Sequence, residues 1–105
     1  MSRLDKLKEF LAEDPNDSFT RYAIGLEYAS MKQPAEAIIA LEQLRASAPE
    51  YVPTYYQLAA LYRETGDRPA ARTIYDVGIV QARYAKDLHA MSELQAALDE
   101  MDDEE

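Results

Sequence analysis

Apolar residues recur along this chain with the period of an α-helix, and turn-forming residues cut the recurrence into six pieces. In the first, 2–13, Leu4, Leu7, Phe10 and Leu11 share one face, and Ser2 with Asp5 suits an N-terminal capping box. Asp14-Pro15-Asn16-Asp17 breaks that helix and offers Asp17 as the next cap. The second piece, 19–31, is apolar nearly all round, the pattern of a helix buried on several sides. Gly25 in its middle costs about 1 kcal/mol relative to alanine, so another helix is expected to approach closely there. Pro34 suits the first turn of a third helix, 35–46, whose stripe is Ala37, Ile38, Leu41 and Leu44, and Pro49 stops it. Pro53 opens a fourth, through Tyr55, Leu58, Ala59, Leu61 and Tyr62. Gly66 suits a left-handed C-terminal position and Asp67 the cap of a fifth helix, 68–84, carrying Ala71, Ile74, Tyr75, Gly78 and Val80. After a break at 85–87, with Asp87 as cap, Leu88, Met91, Leu94, Leu98 and Met101 form the stripe of a last helix. No alternating run or two-residue hairpin turn predicts a strand, so the fold is expected to be all-α.

The middle of the chain repeats itself at an offset of 34 residues. One copy reads Arg21-x2-Ile24-Gly25-x2-Tyr28, then Ala37-x3-Leu41, then Pro49; the other reads Tyr55-x2-Leu58-Ala59-x2-Tyr62, then Ala71-x3-Tyr75, then Arg83. This resembles the tetratricopeptide repeat, with its aromatic, Leu-Gly, Tyr, Ala, aromatic and Pro positions. The resemblance implies a right-handed α-solenoid of about six antiparallel helices. It divides a single domain, 1–101, into an N-terminal capping helix (2–17), two full repeats (18–51 and 52–85) and a C-terminal capping helix (86–101), leaving 102–105 as an acidic disordered tail. Gly25 is expected to face Ala37, and Ala59 to face Ala71, with Tyr28 and Tyr62 wedged beside them. Arg21 stands where the family has an aromatic, Lys32 where it has a turn glycine, and Leu44 where it has alanine. Arg3, one period before Ala37, puts a charge where a partner helix would touch, so 2–13 reads as a second helix without its first, polar on its outer side.

Charge narrows the function. The net charge is −9, and six of the twenty acidic residues crowd into 99–105, so the rest is closer to neutral. Phosphate backbones need a basic surface, so no nucleic-acid partner is expected. There is no cysteine and one histidine, His89, which reads as a surface residue and not as part of a metal cluster or catalytic triad. No run is apolar enough for a membrane span, and the start alternates charge with apolar residues unlike a signal peptide, so the cytoplasm is the expected location. No Gly-rich phosphate loop, metal-spaced carboxylates or nucleophile beside a base is present. The expectation is therefore no catalysis, no cofactor and no metal.

In the family that the repeat resembles, the first helix of each pair lines a concave face. Here that face would carry Phe19, Tyr22, Leu26, Ala29 and Ser30, then Tyr56, Ala60, Arg63 and Glu64, with Arg63 and Glu64 as a solvated pair. An aromatic and apolar lining suits a short peptide or an amphipathic helix with apolar anchors. Some family members clamp the acidic C-terminal peptides of heat-shock chaperones with lysine, asparagine and arginine. The matching positions are Tyr22, Leu26, Gln57, Asp87 and Met91, none of them basic. The expected partner is thus an apolar protein segment and not an acidic C-terminus. The alternatives are a homodimer that pairs through the closing helix, and a groove occupied by the chain's own helix or tail.

Overall fold

Among the described residues, every helix but α2 begins at a side-chain cap or a first-turn proline. The computed structural model describes residues 1–104, and its elements are α1 (Arg3–Glu13), α2 (Ser18–Ser30), α3 (Pro34–Ser47), α4 (Pro53–Glu64), α5 (Arg68–Tyr84) and α6 (Leu88–Asp103). The Ser2 hydroxyl accepts from the Asp5 amide at 3.1 Å, and the Asp5 carboxylate accepts from the Ser2 amide at 3.4 Å, closing the capping box. Asp67 and Asp87 accept from the amides of Ala70 and Ala90 at 3.1 and 3.0 Å. Asp17 precedes α2 but caps no amide; its carboxylate accepts from the Thr20 hydroxyl instead. Pro34 and Pro53 occupy first turns.

Three helices end in one way. The amides of Gln33, Asp67 and Asp87 bond back to the carbonyls of Tyr28, Tyr62 and Ala82 at 3.0, 2.8 and 2.9 Å. Such a six-to-one closure needs a left-handed residue just before it. Lys32 (φ 59°), Gly66 (φ 91°) and Lys86 (φ 59°) fill that position. Glycine does so without a steric cost, whereas a residue with a Cβ gives up roughly 1–2 kcal/mol there.

The pairs α2/α3 and α4/α5 pack most closely, and α1 on α2, α3 on α4 and α5 on α6 link them into a row. Alternate helices also meet, α2 with α4 and α4 with α6. This is the all-α helical-repeat solenoid that the resemblance implies. Its radius of gyration is 13.9 Å, against about 13 Å for a globular chain of this length, as a short array requires. Ala37, Leu41, Leu44, Tyr55, Leu58, Ala59 and Ala71 are fully enclosed between neighbouring helices.

The repeat persists in side-chain contacts. The Tyr55 hydroxyl donates to the Pro49 carbonyl, and one period earlier Arg21 Nε donates to the Pro15 carbonyl at 2.9 Å. Arg21 thus performs the polar half of the missing aromatic's task. The Tyr62 hydroxyl donates to Glu42, and one period earlier Lys8 Nζ lies 5.7 Å from the centroid of the Tyr28 ring. Both tyrosines reach the residue twenty positions back, one by a hydrogen bond and the other by a cation–π contact.

Four expectations need correction. A Cβ added at Gly25 would stand 2.6 Å from Leu41 Cδ2, so Gly25 admits Leu41 and not Ala37. Phe10 is 60% exposed, because α1 has α2 alone as its packing neighbour. Arg3 does not simply face outward; its guanidinium reaches Glu27 on α2 at 3.3 Å. Finally, 102–104 is not a loose tail. α6 runs on to Asp103, because Arg68 donates to the Met101 carbonyl at 2.6 Å while Arg72 pairs with Asp102, and Arg63 and Arg68 pair with Glu104. Glu105, also assigned to that tail, lies outside the described residues.

Two substitutions separate the glycine positions. A Cβ at Gly78 would stand 2.6 Å from Tyr55 Cβ, an atom tied to its backbone, so Gly78→Ala is expected to cost about 1–3 kcal/mol in urea unfolding. Lys32→Gly relieves the left-handed turn and should add about 0.5–1 kcal/mol, less than the full steric relief because glycine also loosens the unfolded chain. An unchanged midpoint for either variant contradicts the backbone geometry assigned to it.

Candidate functional site

The alternate helices α2, α4 and α6 share one side of the array, and between them lies a cavity of about 350 Å³. Tyr22 of α2, Tyr56 and Gln57 of α4, and Ala90 and Leu94 of α6 form its walls, with Val52 and Pro53 at one end. Asp87, His89 and Glu93 complete the α6 side. A second recess of about 290 Å³ lies beside it, between α1 and α2, lined by Arg3, Phe19, Tyr22, Ala23, Leu26, Glu27 and Ser30. Tyr22 belongs to both and divides the concave face.

The geometry follows from local packing. Tyr22 is half-buried, its ring centroid 5.8 Å from that of Tyr51 and tilted by 60°. Burial pushes its hydroxyl above the usual tyrosine value, and a hydrogen bond from the Gln57 side chain partly opposes this. Tyr51 and Gln57 thus hold Tyr22, which also lines the cavity. Tyr56, on α4, is 43% exposed, unlike its neighbour Tyr55, which is fully buried. Successive tyrosines on α4 thus do opposite work, one in the core and one on the groove.

The structure brings together some of the expected residues and separates others. Tyr22 and Tyr56 line the first cavity, and Phe19 and Leu26 join Tyr22 in the second recess. Ala60 is half-buried and lines neither. Arg63 also lines neither: its Nη2 donates to Glu100 on α6 at 2.9 Å, it pairs with Glu104, and it bonds the Tyr75 hydroxyl. The expected Arg63–Glu64 pair is replaced by this bridge because α6 lies alongside α4 and presents carboxylates to it. Of the clamp positions, Tyr22, Gln57 and Asp87 line the first cavity and Leu26 the second. Met91 faces an outer recess with Ile79, Arg83, Leu88, Ser92 and Gln95.

The sequence pattern did not place His89, Ala90, Glu93 and Leu94 at the groove: His89 reads as a surface residue, Leu94 as part of an apolar stripe, and α6 as a helix capping the end of the array. A signal for them exists: Asp87 caps α6 directly after α5, just as α4 follows α3, so α6 continues the row of groove-lining helices. α6 is accordingly a wall of the cavity and not its occupant. Among the described residues no group of three or more histidines, aspartates or glutamates is placed to hold a metal, and no helix is long and apolar enough to cross a membrane.

Behind the groove, Tyr62 and Arg45 both bond Glu42, Arg45 Nε at 2.7 Å. Burial, reinforced by the Glu42 carboxylate, pushes Tyr62 from 10.0 up to about 12. A raised folded-state value stabilises the fold below the unfolded value and loses that contribution as pH rises through the folded one. Stability should therefore fall between about pH 10 and 12. Tyr62→Phe should flatten the slope of unfolding free energy against pH in that window; an unaltered slope would show that Tyr62 ionises freely.

No family model and no curated protein matches the sequence. Solved structures do match. A solution structure of a tetratricopeptide repeat domain protein from Salinibacter ruber is 36% identical, with a TM-score of 0.83, covering 88% of this chain and 93% of that one. A crystal structure of a tetratricopeptide repeat domain protein from the same organism is 35% identical, with a TM-score of 0.81, covering 85% and 99%. A solution structure of a protein from Bordetella parapertussis is 25% identical, with a TM-score of 0.85, covering 99% and 90%.

Proposed function

The chain belongs to the tetratricopeptide repeat family, and from that premise we propose that its concave groove binds a short peptide or helical segment of another protein, without catalysis. The fold is in general a protein–protein interaction module. The observation that carries the finer reading is the pair Tyr22 and Tyr56, on the alternate helices α2 and α4, flanking a cavity of about 350 Å³. Tyrosine supplies large contact area with few rotatable bonds, and such residues dominate binding energy where they meet an apolar anchor. The cavity accommodates one bulky side chain of a partner, and the recess at Phe19 and Leu26 offers a second, weaker hold. Such a protein acts as a small cytoplasmic adaptor whose partner is apolar at its anchor.

A second reading has its own observation. Tyr84 and Leu88 are 80% and 72% exposed, close in sequence to Ile79 and Met91 of the outer recess. On this reading two copies pair through the α5–α6 edge.

The test uses a random-peptide display selection followed by affinity measurement. Tyr22→Ala combined with Tyr56→Ala should weaken selected peptides about tenfold or more while the circular dichroism spectrum stays helical. Undiminished binding by the folded double variant removes the groove reading. Sedimentation equilibrium decides the second: self-association lost on Leu88→Glu supports it, and a monomer at high concentration dismisses it.

A further inference from the structure

The acids of α6 fall into two groups with different company. Toward its C-terminal end, Glu100, Asp102 and Glu104 meet Arg63, Arg72 and Arg68 of α4 and α5. The Arg72 hydrogen bond holds the Asp102 carboxyl below the usual carboxylate range. Toward its N-terminal end, Asp87 and Glu93 stand at the groove, and no lysine or arginine is among the residues lining that cavity. The arginines of α4 and α5 that reach α6 are directed to its other end.

Resting on the groove reading above, we infer that the segment it takes is basic beside its anchor: an apolar or aromatic side chain between Tyr22 and Tyr56, with a lysine or arginine close by in the sequence that meets Glu93 and Asp87. The two acids do not count equally. Asp87 spends one oxygen on the Ala90 amide and sits at the positive end of α6, whose dipole offsets part of its charge. Glu93 lies more than a turn further in, beyond that offset. Its side chain is 55% exposed and meets His89 Nε2 at 3.3 Å, itself 85% exposed. A cationic side chain entering the groove replaces or joins that contact, so Glu93 is the principal acceptor. An acidic peptide meets the opposite situation, two carboxylates and neither lysine nor arginine in the lining of that cavity, so the same charges that attract one class repel the other. The net charge of −9 adds longer-range attraction for a basic segment.

The experiment is the same display selection, read for composition, with synthetic versions of the selected peptides. The expected peptides carry lysine or arginine within a few residues of an aliphatic or aromatic anchor. Glu93→Gln should weaken them about two- to fivefold, as should replacement of the peptide's own basic residue, and the two losses should not add. Raising salt should weaken binding to the unaltered protein more than to the Glu93→Gln variant. Glu93→Lys should reverse the preference, favouring the peptide whose lysine has become glutamate. Peptides that depend on Tyr22 and Tyr56 but are neutral, and that bind Glu93→Gln as tightly, overturn this inference while leaving the groove intact. A selection that returns no peptide dependent on either tyrosine overturns the groove reading together with it.

Discussion

The seating of Tyr55 against Gly78 is the contact on which the rest of the array depends. Tyr55 is fully enclosed, its Cβ occupies the space that any side chain at position 78 would need, and its hydroxyl ends on the Pro49 carbonyl. One residue thereby ties α4 to α5 and to the loop that precedes α4. The distance between those helices follows from the absence of a single carbon at Gly78, because a packed interior has no slack to absorb it. Leu94 of α6 approaches the same spot, 3.1 Å from the position of the missing Cβ. The placement of the last helix, and with it one wall of the groove, therefore rests on the same glycine.

Around this centre the two repeats solve one problem with different chemistry. In the second, an aromatic ring fills the core and its hydroxyl satisfies a carbonyl. In the first, Arg21 satisfies the corresponding carbonyl without an aromatic's bulk, and the fully buried Leu44 stands one period before Gly78, where the second repeat is small. The family pattern is thus a set of physical tasks, and a departure at one position is matched by a change at a neighbour. Lys32 and Lys86 make the same point for the backbone. The closing hydrogen bonds from Gln33 and Asp87 need a left-handed residue before them, and each lysine holds that conformation without glycine's freedom.

The array's ends are managed by polar contacts. Arg3 reaches across to Glu27, and Arg63, Arg68 and Arg72 carry α6 to Asp103. Isolated surface pairs contribute little, but several charges on adjacent turns, together with a guanidinium on the last-turn carbonyl of Met101, act as a network. The consequence for the groove is indirect and useful. These arginines meet the acids at one end of α6, so the acids at its other end define the character of the cavity.

Helix number, order and pairing were legible in the sequence, because they follow from near-neighbour rules. Apolar residues at helical spacing, Ser2, Asp67 and Asp87 as caps, and Gly66 at a turn need information only from within a few residues. The 34-residue echo extended this to the solenoid, since stacked copies bury the faces that one pair cannot. Part of the candidate site was legible for the same reason: Tyr22 and Tyr56, which line the cavity, sit at the same helix type in each copy. Their neighbour in chain order, Tyr55, could be assigned to the core by its place in the motif. What only the tertiary structure decided was which side chains meet across helices. Gly25 admits Leu41 and not Ala37, Arg63 turns to α6 and not to the groove, and α6 supplies a wall that its apolar stripe alone did not reveal. Those choices depend on crossing angles and on the fit of particular volumes. A shift of one side chain's width redirects a long arginine or closes a cavity, and no local rule in the chain encodes that distance.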